Sequence, residues 1–218
     1  MWITDGSTQL SDWRQTNAGQ LPKFFIIKLV LLSILLFVQL NQAKFMDNGK
    51  CGYLLRPEFM FKDGYKPGDR SGPGGVSSLE LTIRIVAARH LYRAGKERGL
   101  SPLVELEVIG AEYDSVKYRT KRVDDNGLNP VWDETFNLKI LNPDIALVRF
   151  YIYDEDMFEN PHMVGQVTLP VKLVQAGYRS VQLRNGHSEE LELSSLLLHI
   201  TKSQVIILFY LFLNSVHF

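Results

Sequence analysis

Asp124-Asp125-Asn126-Gly127-Leu128-Asn129-Pro130-Val131-Trp132-Asp133-Glu134-Thr135-Phe136 is the stretch whose reading decides the fold. Asn126-Gly127 and Asn129-Pro130 are turn signals, because Gly and Asn accept positive φ and Pro presets φ for a tight turn. Trp132, Phe136, Leu138 and Ile140 then alternate with polar residues, the pattern of a half-buried strand. Phe150-Tyr151-Ile152-Tyr153 predicts a second strand, rich in aromatic and β-branched residues. It runs into an acidic loop, Asp154-Glu155-Asp156-Met157-Phe158-Glu159. Two strands that each end in an acidic or Asn-rich loop gather several oxygen ligands at one edge of a β-sandwich. That is what a hard cation such as calcium requires.

Working outward, Leu79-Glu80-Leu81-Thr82-Ile83-Arg84-Ile85-Val86 alternates and predicts the first strand. Further strands are predicted at Leu103–Ile109, Lys117–Arg122, Thr135–Ile140, Val148–Tyr153, Met163–Leu169, Arg179–Leu183 and Leu196–Ile200. Turn residues separate them at close intervals, which favours a sandwich over βαβ units. Residues 77–201, in about eight strands, suffice for one independent core.

The 218 residues carry no formal net charge, with 45% apolar and 22% charged content. That is ordinary for a folded globular chain and gives no overall basic bias toward nucleic acid. Cys51 is the single cysteine, so a disulfide framework or cysteine zinc site within one chain is excluded. A reducing compartment fits best.

The two ends differ from the middle. Met1 to Gln20 is polar and aperiodic, the composition of a disordered leader. Phe24–Leu40 is a hydrophobic, helix-compatible run broken by Lys28, Ser33 and Gln39. Its length sits at the lower limit of a spanning helix, about 17 to 25 residues. It makes a poor signal peptide, since its leader is long and no small-x-small site follows. A second apolar run, Val205 to Leu213, is too short to span. Residues 1–38 and 202–218 therefore read as segments foreign to the rest, of the kind a translated intron yields. A membrane anchor at 24–40 is the alternative.

Between the first run and the strands lie Leu40-Asn41-Gln42-Ala43-Lys44-Phe45, Asn48-Gly49 and Cys51-Gly52-Tyr53-Leu54-Leu55-Arg56-Pro57. This wording resembles the end of the Y region of the catalytic barrel of eukaryotic phosphoinositide-specific phospholipase C. Residues 39–60 are then a remnant of a TIM barrel, and Gly/Pro-rich residues 61–76 a linker. Residues 77–201 resemble the C2 domain that follows the barrel in that family, most like the gamma type. The wording that carries this includes Ala87-Ala88-Arg89-His90-Leu91, Gly110-Ala111-Glu112-Tyr113-Asp114-Ser115 and Gly177-Tyr178-Arg179-Ser180-Val181-Gln182-Leu183-Arg184-Asn185. The resemblance implies a mainly β fold, an eight-stranded antiparallel C2-type β-sandwich.

It also implies the sites. Calcium-dependent C2 domains hold the ion with loop carboxylates, which points to Asp154 and Asp156, with Asn126 as a helper. Ser101-Pro102 departs from the family's Asp-Pro, Arg93, Lys96 and Arg98 surround it, and His162 stands at a position that is acidic in complete sites. Three readings stay open: a weak calcium site, first-loop cations paired with Asp154 and Asp156, or a solvated acidic loop. Lys117, Arg119 and Lys121 alternate, so they project from one strand face, and Arg122 extends the patch. The patch suits anionic lipid headgroups; the bland reading is a solvated face with Glu112 and Asp114 beside it.

The resembled enzymes hydrolyse phosphatidylinositol 4,5-bisphosphate to diacylglycerol and inositol trisphosphate in intracellular signalling, using barrel histidines and a barrel calcium. His90, His162, His187, His199 and His217 match no such motif, and neither Cys51 nor any serine has a nucleophile's context. The expectation is a phospholipase C fragment or truncated isoform, inactive alone, cytoplasmic and peripherally membrane-associated. Its partners would be anionic phospholipid membranes, the remainder of a phospholipase C, or signalling proteins. The alternative is a non-catalytic lipid- or protein-binding C2 module.

Overall fold

The computed structural model describes residues 36–51, 54, 57–61, 78–92, 99–155 and 161–205. The leader, residues 24–35 of the apolar run, most of the linker and the tail beyond Val205 lie outside them. Eight strands follow in chain order: β1 (Ser78–Arg89), β2 (Pro102–Ile109), β3 (Val116–Arg119), β4 (Val131–Ile140), β5 (Leu147–Glu155), β6 (Pro161–Pro170), β7 (Gly177–Arg184) and β8 (Glu190–Val205). Seven cover the stretches read as strands from the sequence, and β3 covers only the start of Lys117–Arg122. All pairings are antiparallel, in the order β3-β2-β5-β6-β7-β8-β1-β4.

The order hides a seam. Between β6 and β7 the only register pair is Gln166 opposite Arg184, so the sheet falls into two halves, β3-β2-β5-β6 and β7-β8-β1-β4. Alternation supplies the core between them. Val104, Leu106, Val108, Phe150 and Ile152 point inward from one half, and Ile83, Ile85, Leu183, Leu196 and Leu198 from the other, each at most 1% exposed. Burying a side chain of this size contributes about 1.5–3 kcal/mol. On β4, Trp132, Leu138 and Ile140 are buried and Phe136 packs against the same core, as the alternation predicts. Trp132 also donates its indole N–H to the Pro102 carbonyl at 3.2 Å, which ties β4 to the start of β2.

The third strand is shorter than expected. It pairs with β2 only from Val116 to Arg119, so Lys121 lies beyond the strand. Thr120 is the cause: its hydroxyl accepts the Val104 N–H at 2.9 Å, so a side chain stands in for the ladder. The chain then turns toward β4, where the Lys121 N–H donates to the Glu134 carboxylate at 2.7 Å.

Before the sandwich, residues 36–45 are helical and continue into a 3-10 turn, Met46–Asn48. Gly49 ends it at φ 70°, a left-handed position that glycine takes without strain. Ala43 is buried, and Asp47 forms an ion pair with Lys172, in the 3-10 turn that follows β6. No helix among the described residues is long and apolar enough to cross a membrane.

Candidate functional site

The sequence places its calcium candidates at the loop edge, and among the described residues that edge is assembled from the first two connections and the end of β5. After β1, the His90 and Leu91 N–H groups donate to the Leu128 and Gly127 carbonyls at 2.7 and 2.9 Å, joining the first connection to the second. Gly127 is required there, because a Cβ would come within 2.9 Å of the Leu100 side chain. Ser101 joins the first connection to the second and to the end of β5. Its N–H donates to Asp154 Oδ1 at 2.9 Å, and its hydroxyl accepts the Asp125 N–H at 3.2 Å.

These bonds decide what the edge can hold. The Asp154 side chain is fully buried, with one oxygen engaged by the Ser101 amide. Asn126 closes on its own turn, its carbonyl accepting the Asn129 N–H and its amide donating to the Asn129 carbonyl, both at 3.0 Å. Asp156, Arg93, Lys96 and Arg98 lie outside the described residues. Among the described residues no three His, Cys, Asp or Glu side chains gather around a common point. Calcium takes six to eight oxygens, and Asp154 and Asn126 as placed here do not fit such a cage. His162 pairs with Asp154 in the β5–β6 register and is exposed.

The same edge displays residues that the sequence reading passed over. Tyr92, Leu128 and Val131 are 73%, 61% and 59% exposed. An apolar residue inside the turn Gly127-Leu128-Asn129-Pro130 was the available signal, since a tight turn cannot carry its side chain into a core. On the same β3–β4 connection as Leu128, Arg122 is held by Asp124 at 2.7 Å, with both side chains largely exposed.

The basic patch lies on the outer face of β2, β3 and β5. Lys117 and Arg119 project together from β3, as predicted, whereas Lys121 falls outside the ladder. They are not bare cations. Lys117 Nζ lies 3.0 Å from Glu105 Oε1 and 3.6 Å from Glu107, and Arg119 Nε lies 2.9 Å from Glu105 Oε2. Glu105 is only 4% exposed. Burial alone would raise its carboxyl, but the hydrogen bonds from Arg119 and Lys117 outweigh that and hold it below the usual glutamate range. On β5, Arg149 stacks over Tyr151 at 4.5 Å, donates to Gln166 at 2.9 Å and sits 3.5 Å from Glu107. Tyr153 packs on Tyr151, reaches Glu105 at 3.4 Å, and has its phenol pushed well up, first by burial and then by Glu105.

Of the acids expected near the patch, Asp114 is engaged elsewhere. Asp114 is buried and accepts the Leu141 and Asn142 N–H groups at 2.7 and 2.8 Å. Burial raises its carboxyl against those two bonds. Sequence alternation marks Glu105 and Glu107 as solvated outward positions, so their partnership with β3 was legible only once the register was known. His199 packs on the Tyr178 ring at 4.5 Å, a structural role.

A nearly closed antiparallel sandwich with three connections at one edge and a basic outer face is the build of a C2 domain. Residues 79–186 match the family model of the C2 domain. The S. officinalis PLC21 crystal structure superposes with a TM-score of 0.63 at 34% identity, over 73% of this chain and 20% of that one. The chain is 43% identical over 167 residues to 1-phosphatidylinositol 4,5-bisphosphate phosphodiesterase gamma plc-3 of Caenorhabditis elegans, covering 75% of this chain and 12% of that protein. Human gamma-2 is 42% identical over 74% of this chain and 13% of its own length, and zebrafish (Danio rerio) delta-3-A is 36% identical over 75% and 21%. This chain belongs to the phosphoinositide-specific phospholipase C family and is gamma-like. It spans about an eighth of the length of the gamma relatives.

Proposed function

We propose that this chain supplies the membrane-docking C2 module of a gamma-like phosphoinositide phospholipase C. The phosphodiesterase activity in the relatives' names belongs, on this reading, to a whole enzyme of which residues 39–60 are the end of the barrel and residues 77–201 the docking domain. The domain's own task is to hold an anionic phospholipid surface from the cytoplasmic side as a peripheral protein. The observation that carries this is the loop edge, where Tyr92, Leu128 and Val131 stand exposed and Arg122 shares the β3–β4 connection with Leu128. Apolar side chains at such an edge gain by entering the lipid boundary, and each basic residue near an anionic surface adds about 1 kcal/mol.

The test is co-sedimentation of the full chain with anionic vesicles. Leu128→Asp combined with Val131→Asp should weaken binding about a hundredfold, roughly the loss of two inserted apolar side chains. Unchanged binding would reject the loop edge as the docking site. C2 domains and phospholipases C commonly bind calcium. Here we infer docking that does not depend on it, supported by the engagement of Asp154 with the Ser101 amide. Binding should be alike in chelator and in calcium, and a tenfold gain with calcium would reverse that inference. Exposed Met46 and Leu54 on the barrel remnant are suited to contact with further phospholipase sequence.

A further inference from the structure

Leu193 is 69% exposed, as open to solvent as Leu128 at 61%. It stands at the same end of the sandwich. Arg89, the last residue of β1, pairs with Ser195, so Glu190–Ser194 of β8 run on past the end of β1. The Ser194 hydroxyl donates to the His90 carbonyl at 2.6 Å, which fixes this overhang to the first connection. The β7–β8 turn is held as well. Asn185 Oδ1 accepts the His187 and Glu189 N–H groups at 2.9 and 3.0 Å, and Asn185 Nδ2 donates to Glu189 Oε2 at 2.8 Å. By shape alone, Leu193 would enter a lipid boundary together with Leu128.

Charge separates the two. The hairpin carries Glu189, Glu190 and Glu192, all exposed, and its single lysine or arginine, Arg184, is paired with Glu190. The β3–β4 connection sets Lys121 and Arg122 against Asp124 and Asp125, all exposed, and is balanced. In the β7-β8-β1-β4 half, β1 lies between β8 and β4, and β7 lies beyond β8. At one strand spacing per step, the hairpin and β4 are ~10–14 Å apart, more than the Debye length of about 8 Å at physiological ionic strength. The excess negative charge therefore acts on its own margin and leaves the other margin to dock.

We propose that the β7–β8 hairpin is an anionic stand-off, which makes the domain lean onto its β3–β4 connection at an anionic phospholipid surface. Leu128 and Val131 then enter the lipid while Leu193 stays in water. The inference rests on the docking reading above and adds the orientation of the docked domain. A carboxylate near an anionic leaflet is repelled about as strongly as a basic residue is attracted. Burying Leu193 would carry the charged hairpin toward the headgroups.

Cys51 is the single native cysteine and is exposed. Cys51→Ser in the full chain therefore gives a background in which Leu128→Cys or Leu193→Cys carries one fluorophore. Vesicles of phosphatidylcholine and phosphatidylserine containing a nitroxide-labelled lipid serve as the quenching surface. The Leu128→Cys probe should be quenched and the Leu193→Cys probe should not. Adding Glu189→Gln with Glu192→Gln should bring the Leu193→Cys probe into contact with the quencher. The same pair should raise vesicle affinity at least about fivefold, the effect of one unit of charge near the surface. Glu192→Gln alone should act in the same direction and leaves the Asn185–Glu189 bonds of the turn in place. A Leu193→Cys probe quenched without the glutamine substitutions overturns the stand-off, and docking by the loop edge stands if the Leu128→Cys probe is quenched with it. A Leu193→Cys probe that stays unquenched in both glutamine variants removes the carboxylates as the cause and overturns the stand-off equally. If neither probe is quenched in any variant, docking by the loop edge fails and the inference fails with it.

Discussion

The two halves of the sandwich present the same alternation to the core and opposite solutions to water. On the β3-β2-β5-β6 half, the outer face buries a carboxylate, Glu105, beneath two cations and two stacked tyrosines. On the β7-β8-β1-β4 half, the comparable pair is Arg84 with Asp133, two-pronged at 2.6 and 2.8 Å but 42% and 48% exposed. Beside it Thr82 donates to Asn137, and Tyr178 lies largely in solvent. An ion pair in water gains little, because solvent serves both partners almost as well. A carboxylate removed from water depends on its partners, so the first face is organised around Glu105 and the second is not organised around any one residue.

If the halves are alike inside and different outside, core truncation should not tell them apart. Phe150→Ala on β5 and Leu198→Ala on β8 should each cost about 3–4 kcal/mol in urea unfolding. A loss confined to one half would mean that the two do not unfold as a unit. The outer faces should separate next. Lys117→Met with Arg119→Met strands the Glu105 carboxylate and should cost about 2 kcal/mol. Arg84→Met should stay within the error of the same experiment, and equal losses would erase the contrast.

The smallest expected effect is the acid limb of stability. The Glu105 carboxyl is depressed in the folded state, so its stabilisation is complete above the ordinary glutamate value of about 4.3 and is lost as pH falls through the folded value. Asp133, held down by the Arg84 hydrogen bond, has the same sign, whereas Asp114, raised chiefly by burial, has the opposite one. Glu105→Gln should flatten the fall in melting temperature below that pH, and an unaltered acid limb would show that Glu105 does not contribute to it.

The fold was legible because a strand with one buried face must alternate, as β1, β4 and β5 do. The limits of strands were less so: β3 stops at Arg119 because the Thr120 hydroxyl replaces a ladder bond, a choice that no periodicity records. The site was legible by type and not by partner. Lys117 and Arg119 were identified as neighbours on one face, yet the acids that answer them come from the adjacent strand, through a register set by tertiary packing. Asp154 was identified as a loop acid, and the backbone amide that meets it belongs to Ser101, a residue distant in sequence.

The seam between β6 and β7 bears on how the molecule yields to force. Strands β1 and β8 are paired from Ser78 to Arg89, so sliding one past the other breaks a long ladder together. Across the seam a single pair, Gln166 with Arg184, is all the backbone pairing there is to break. The Asp47–Lys172 pair anchors the helical residues to the turn directly after β6, next to that seam. Tension applied between the loop edge and helical residues 36–45 would therefore arrive at the joint that peels instead of the one that shears.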